Sequence, residues 1–203
     1  ALGGEAVPHF GDVAVWDDAR TMIGTAVERF GDLHILVNNA GFCRDRMIFN
    51  MSEDEFDSVI RVHLKGHFCT MRFATEHWRN RAKESGGTVY GRIINTSSEA
   101  FIFGSAGQPN YAAAKAGVIA MTKVWARELG PKGVLVNALA PGFIESEMIA
   151  AVPTKIRESV VTKTPLGRVG RPEEVANAYL FLASDESSFI NGAVLQVDGG
   201  LVL

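Results

Sequence analysis

A chain of 203 residues, 47% hydrophobic and 21% charged, has the makeup of one soluble globular domain, here taken as a single domain over residues 1–203. Its formal net charge of -3 gives no basic field for a nucleic-acid partner, and no apolar run approaches the roughly 20 residues of a membrane span. Two cysteines, Cys43 and Cys69, are too few for a disulfide framework; with no charged-then-apolar leader, they predict reduced thiols and a cytoplasmic location.

DLHILVNNAG (32–41) is a short apolar run closed by Asn and Gly, the pattern of a strand buried on both faces. GRIINTSS (91–98), GVLVNALAPG (133–142) and GAVLQVDGG (192–200) repeat that form. Between the first two lies an amphipathic stretch over 52–82. Ser52 three residues before Glu55 makes a capping box, and Phe56, Val59, Ile60, Leu64, Phe68 and Met71 recur at helical spacing. A second helix is predicted over 111–129, ended by GPKG, and a third over RPEEVANAYLFLAS, with Pro172 suited to a first helical position.

Strands alternating with long helices imply an α/β fold, a doubly wound parallel sheet with helices on both faces. Ligand crevices of such sheets lie beyond the carboxyl ends of the strands. VNNAG, NTSS and APG are all strand-end segments, so they should converge on one rim.

Tyr111 and Lys115 are four residues apart, which places them on one face of the helix that begins there. A phenol is a poor base at neutral pH, and a neighbouring ammonium favours the phenolate, so the pair is expected to bring the tyrosine into the working range. Ser98, at the mouth of the preceding strand, could hydrogen-bond a substrate oxygen as charge develops on it. Taken alone, so short a pattern as YxxxK reads first as a helix-start tyrosine packed on the sheet beside a solvated lysine.

With NNAG at 38–41, a serine thirteen residues before YxxxK, N-x-x-x-P-G at 137–142 and a closing DGG at 198–200, the chain resembles the short-chain dehydrogenase/reductases, nearly end to end. NNAGFCRD, GQPNYAAAKAG and APGFIESEM are most similar to 3-oxoacyl-(acyl-carrier-protein) reductases. The resemblance implies a Rossmann-like fold, NADP or NAD as cofactor, and hydride transfer between that cofactor and a carbonyl or alcohol, here a 3-oxoacyl thioester on acyl carrier protein or CoA. It implies Tyr111 as general acid in reduction, Lys115 as its partner and a nicotinamide-ribose ligand, and Ser98 orienting the carbonyl, with Ser97 the poorer candidate. Asn39, Ala40 and Gly41 would run along the cofactor, Asp12 and Val13 would flank the adenine, and Pro141, Gly142 and Ile144 would border the nicotinamide. Asn38, Gly41 and Gly142 could equally serve turns. A homotetramer is the assembly the family commonly forms.

Two departures stand against this pattern. The phosphate-binding TGxxxGxG loop occurs nowhere in the chain, whose opening ALGGEAVPHFGDVAVWDD is similar to the end of a second helix running into a third strand at 6–13. The expectation is that the N-terminal βαβα segment, roughly 50 residues, lies upstream of the given sequence. His63 stands where the family shows Asn in its catalytic set. Its imidazole is expected to titrate near neutral pH, yet it also falls on the apolar face, where a satisfied core histidine is the ordinary outcome. His67, four residues on, makes a metal pair conceivable, but no third ligand is apparent and no metal is expected. Cys43 lies near the expected crevice without a recognisable activating base and reads as structural.

Between APG and GRPEE, residues 143–169 form a long excursion of the kind that closes over a substrate. Met148, Ile149, Val152 and Ile156 could meet an acyl chain, and Lys155, Arg157 and Lys163 a phosphopantetheine carrier; the alternative is a small amphipathic helix docked on its own domain. Against the 3-oxoacyl reductase stand another short-chain alcohol, hydroxyacyl-CoA, steroid or polyol dehydrogenase, and a non-catalytic binding subunit.

Overall fold

The computed structural model describes residues 3–150 and 152–201; the side chain of Met148 lies outside that description, and so does its expected contact with an acyl chain. Helix α1 (Trp16–Phe30) leads into strand β1 (Ile35–Asn38), then α2 (Glu53–Ile60), a π turn (Arg61–Lys65) and α3 (Gly66–Glu84). Strand β2 (Gly91–Thr96) is followed by the short α4 (Ala100–Phe103) and the long α5 (Pro109–Leu129), and then by β3 (Val134–Pro141). Helices α6 (Glu147–Ala150), α7 (Thr154–Lys163) and α8 (Pro172–Ala183) precede β4 (Val194–Val197).

Among the described residues the sheet has four strands in the order β1-β2-β3-β4, all parallel. The register pairs Asn38 with Asn95, Thr96 with Leu139 and Pro141 with Val197, so every strand ends at the same rim. Alternate side chains of β2 serve opposite layers. Ile93 joins Met71, Trp78 and Val136 under α3 and α5, while Ile94 joins Leu139, Val175 and Leu182 under α8. Helices on both faces make this the doubly wound α/β sheet that the sequence pattern implied. Trp78, 1% exposed, fills the first layer and donates its indole N–H to the Leu33 carbonyl at 2.6 Å. Burial of each such large apolar side chain contributes on the order of 1.5–3 kcal/mol.

The Ser52–Glu55 capping box forms as expected, and Pro172 opens α8. Three expectations need correction. Residues 6–13 are irregular rather than a strand: among the described residues no strand lies alongside to pair with them. Strand β1 is not buried on both faces, because Ile35 and Val37 are 43% and 44% exposed on the α8 side, where nothing described covers them. The helical stretch over 52–82 is not continuous but is widened by the π turn at its centre, a feature frequent at functional sites. Helix α1 had not been read from the sequence; it carries Asp17 and Asp18 in its first turn, Arg29 in its last and Gly31 as a left-handed C-cap.

Candidate active site

The rim is assembled on a buried polar layer. Asn38 donates to Asn95 Oδ1 at 2.9 Å and accepts from Thr70 Oγ1 at 2.7 Å; Asn95 in turn donates to Thr122 Oγ1 at 2.9 Å. With Asn95 and Thr122 wholly buried, these bonds tie β1, β2, α3 and α5 together directly below the strand ends. Asn110 locks the start of α5 in the same way. Its Nδ2 donates to the carbonyls of Arg44 (3.0 Å) and Glu55 (2.9 Å), and its Oδ1 accepts from the Tyr111 N–H (2.8 Å). Asn110 did not stand out in the sequence, although its place immediately before Tyr111 was the available signal.

Tyr111 and Lys115 do share a face. The Lys115 Nζ lies 5.4 Å from the centroid of the Tyr111 ring, is almost wholly buried, and donates to the Thr96 carbonyl at 2.6 Å. Burial draws the lysine down to about 8. The expected acidification of the tyrosine is not found. Burial, with Cys43 and Glu99 adding to it, pushes the phenol above its ordinary range, and nearby Ser98 opposes this only in part. Desolvation outweighs the hydrogen bond with Ser98, so the phenol is held protonated.

Ser98 is 8% exposed; its Oγ donates to Glu99 Oε2 at 2.9 Å and accepts from the Ala100 N–H at 3.3 Å. Ser97, the poorer candidate, spends its hydroxyl on the Lys115 carbonyl. Glu99 is itself buried, and that burial, together with the charge of Asp198, raises its carboxyl above the usual range. Sequence reading had passed over Glu99.

His63 sits at the middle of the π turn, 2% exposed, with its ring edge-on to Tyr111 at 5.1 Å between centroids. Its Nε2 lies 2.7 Å from the Phe42 carbonyl oxygen and 3.0 Å from the Phe42 N, while Nδ1 has no partner among the described residues. It does not titrate near neutral pH as expected: burial and the Lys115 charge bring it down to about 4. His67, equally buried, falls to about 3 for the same two reasons, with His63 adding to them. Among the described residues no group of three or more His, Cys, Asp or Glu side chains is placed to hold a metal.

The remaining candidates divide by position. Gly41 packs on His63, whose ring would meet any Cβ placed there, and Asn39 accepts a hydrogen bond from the Tyr179 hydroxyl at 3.3 Å. Asn39, Ala40 and Gly41 are exposed at the rim. Gly142 lies so close to β4 that a Cβ would stand 2.8 Å from Asp198 Cα. Ile144 pairs with Gly170 and, with Phe143, Val197 and Asp198, walls a groove of about 470 Å³ at the β3–β4 end of the rim. That groove borders the Ser98–Tyr111 cluster rather than containing it. Asp12 is engaged elsewhere: it accepts from Arg61 at 2.6 Å and from the Ala14 N–H at 2.8 Å, which hold its carboxyl below the usual range. Val13 packs against Gly66, so the Asp12–Val13 pair flanks the π turn on its α3 side. Pro141 is half-buried at the end of β3. Burial pushes the Cys43 thiol up to about 11, which fits no nucleophile.

A family model described as enoyl-(acyl carrier protein) reductase matches residues 1–202. The chain belongs to the short-chain dehydrogenase/reductase family. It is 45% identical over 202 residues to 3-oxoacyl-(acyl-carrier-protein) reductase FabG of Thermotoga maritima, covering 100% of this chain and 79% of the relative. A FabG of Staphylococcus aureus is 43% identical over 193 residues, 95% of this chain and 75% of that protein. An uncharacterized oxidoreductase of Mycobacterium bovis is 48% identical over 189 residues, 93% and 74% of the two chains. Membership makes this short-chain dehydrogenase/reductase an NAD(P)-dependent oxidoreductase. No helix among the described residues is long and apolar enough to cross a membrane.

Proposed function

We propose that the protein reduces the ketone of a 3-oxoacyl thioester, borne on acyl carrier protein or CoA, to the 3-hydroxy compound, with Tyr111 as proton donor. The observation that carries this reading is the convergence of Ser98, Tyr111 and Lys115 at the carboxyl ends of parallel strands. A phenol kept protonated by burial suits donation to an oxygen gaining negative charge, the reductive direction. Lys115, near 8, supplies positive charge beside that oxygen and can return a proton to the phenol. Ser98 orients the carbonyl. His63, neutral at working pH, packs the Tyr111 ring from the position of the usual Asn.

The residues present suit the nicotinamide half of a dinucleotide. Gly41 and Gly142 leave close-approach backbone where a side chain would intrude, and Asn39, Ala40, Pro141 and Ile144 stand along the same rim. Lys115 would hold the ribose. Asp12 and Val13, beside the π turn, would take the adenine side once Arg61 yields its bond. A nicotinamide held there would supply hydride to the carbonyl carbon, while Tyr111 gives its proton to the oxygen.

The names of the FabG relatives support the acyl thioester, and the exposed Ile156, Lys155 and Lys163 on α7 offer apolar and basic surface toward such a carrier. Exposed Phe56, Phe68 and Val124 on α2, α3 and α5 support self-association, up to the homotetramer. Oxidation of NADH and NADPH by acetoacetyl-CoA tests the reading. Tyr111→Phe is expected to lower kcat/KM by on the order of a hundredfold or more; activity untouched by that change would refute the assigned proton donor.

A further inference from the structure

A hydroxyl has one proton to give, and in this structure Ser98 gives it to Glu99 rather than toward the rim, across 2.9 Å. Both residues are buried, at 8% and 6% exposure, so water does not readily replace either partner. The Glu99 N–H is in turn held by the Pro141 carbonyl at 3.4 Å, which ties this carboxyl to the strand end carrying Gly142. To orient a carbonyl, Ser98 must donate to it. A carboxylate that takes that same proton competes with the substrate for it.

Resting on the reductase reading above, we propose that Glu99 is a positioning residue that sets which way the Ser98 hydroxyl points. An ionised Glu99 only accepts, and it draws the hydroxyl away from the substrate. A protonated Glu99 donates to Ser98 Oγ, whose own hydrogen then turns to the carbonyl oxygen. The same proton removes a negative charge that acts on Tyr111. No atom is transferred to substrate in this step; one proton is taken from solvent by the carboxyl and one hydrogen bond is reversed.

The surroundings favour the switch. Asp198, beyond β4, is the charged neighbour that opposes ionisation of Glu99 along with burial, and Tyr111 faces it from α5. The Lys115 ammonium, also on α5, is turned to the Thr96 carbonyl. The carboxyl pKa is therefore raised, and the productive form is lost as pH rises through it.

Glu99→Gln separates this role from simple packing, because an amide has nearly the same shape and donates to Ser98 at every pH. The assay is reductive kcat/KM for acetoacetyl-CoA against pH, for the intact protein, Glu99→Gln, Ser98→Ala and Tyr111→Phe. Wild type is expected to lose roughly tenfold as pH rises through the Glu99 ionisation, the size of one charge-assisted hydrogen bond. Glu99→Gln keeps its low-pH activity and lacks that limb, while any limb near 8 from Lys115 persists in both. Identical profiles for wild type and Glu99→Gln, with Tyr111→Phe and Ser98→Ala still impaired, would overturn the Glu99 role alone. Full activity in Tyr111→Phe, or no turnover by the intact protein, would remove the reductase reading and this inference with it. Should Glu99→Gln lose activity at every pH, Glu99→Leu, which frees Ser98 altogether, must still lack the limb; a limb surviving there counts against the proposal.

Discussion

Acidification from pH 7 to pH 5 should destabilise this protein through two histidines rather than through its carboxylates. His63 and His67 are each 2% exposed, and each keeps one ring nitrogen, Nδ1 and Nε2 respectively, with no acceptor for a second proton among the described residues. Their folded pKa values fall to about 4 and about 3, against the ordinary 6.5. Both groups are depressed bases, so between pH 6.5 and their folded values the unfolded chain binds more protons. Stability is then lost as pH falls, by about 1.4 kcal/mol per pH unit for each group. By pH 5 each costs about 2 kcal/mol relative to pH 7. Since both rings stay neutral in the folded protein over this interval, the two together approach about 4 kcal/mol. Carboxylates held down by partners, such as Asp12 and Glu174, lose little over this interval, since their unfolded values lie near 4, and Glu99, whose carboxyl is raised, offsets part of the histidine loss as it takes up its proton. Urea unfolding at pH 7, 6 and 5 checks this. His63→Asn should remove about half of the pH dependence and His67→Gln the other half; wild type and both variants sharing one slope would refute the reasoning.

Two further substitutions follow from the same geometry. Burying the Lys115 charge, with its fall from 10.5 to about 8, costs the fold about 3 kcal/mol, and losing its bond to the Thr96 carbonyl returns part of that. Lys115→Met should therefore raise stability at pH 7 by about 1–2 kcal/mol, seen as a higher urea midpoint, while kcat/KM collapses. At Gly142 a methyl would stand 2.8 Å from the Asp198 backbone, so Gly142→Ala forces the two strand ends apart. A loss of about 1–3 kcal/mol by urea unfolding, with reduced activity, is expected; an unchanged midpoint would mean that the rim is softer than it looks.

The sheet was legible wherever burial wrote it. Ile93, Ile94, Val134, Val136 and Leu139 form apolar runs because helices cover both faces there, and turn residues mark where each run ends. Residues 6–13 were expected as a strand only through the family resemblance, and a strand exists only against a neighbour, which the described residues do not place beside them. Helix α1 was hidden because only Ala19 and Ile23 are buried in it, too few to set a helical period by themselves. The π turn had no signal of its own. It depends on contacts distant in sequence, where Gly41 meets His63 and Gly66 meets Val13. The proximity of Tyr111 and Lys115 could be read from helical spacing; the sign of the tyrosine shift could not, because it is set by how deeply the surrounding loops bury the ring.

That shift is one instance of a wider asymmetry. Away from the rim, charges are paired and favoured: the Ala14 N–H and then Arg61 lower Asp12, His77 lowers Asp32, and Arg168 lowers Glu174 to about 2. At the rim every shift runs the other way. His63, Glu99, Tyr111, Lys115 and Cys43 are all pushed toward their neutral forms, burial being the largest cause in each case. Cys69, in α3 and farther along the helix, shares the direction, so burial alone does not define a site. What distinguishes the rim is that five such groups meet at the ends of four parallel strands, each opposing stability when charged. A fold selected for stability alone would replace these groups with apolar ones. Holding them close together in a buried rim keeps a protonated phenol beside a lysine drawn down to about 8, the pairing on which the proposed proton donation rests.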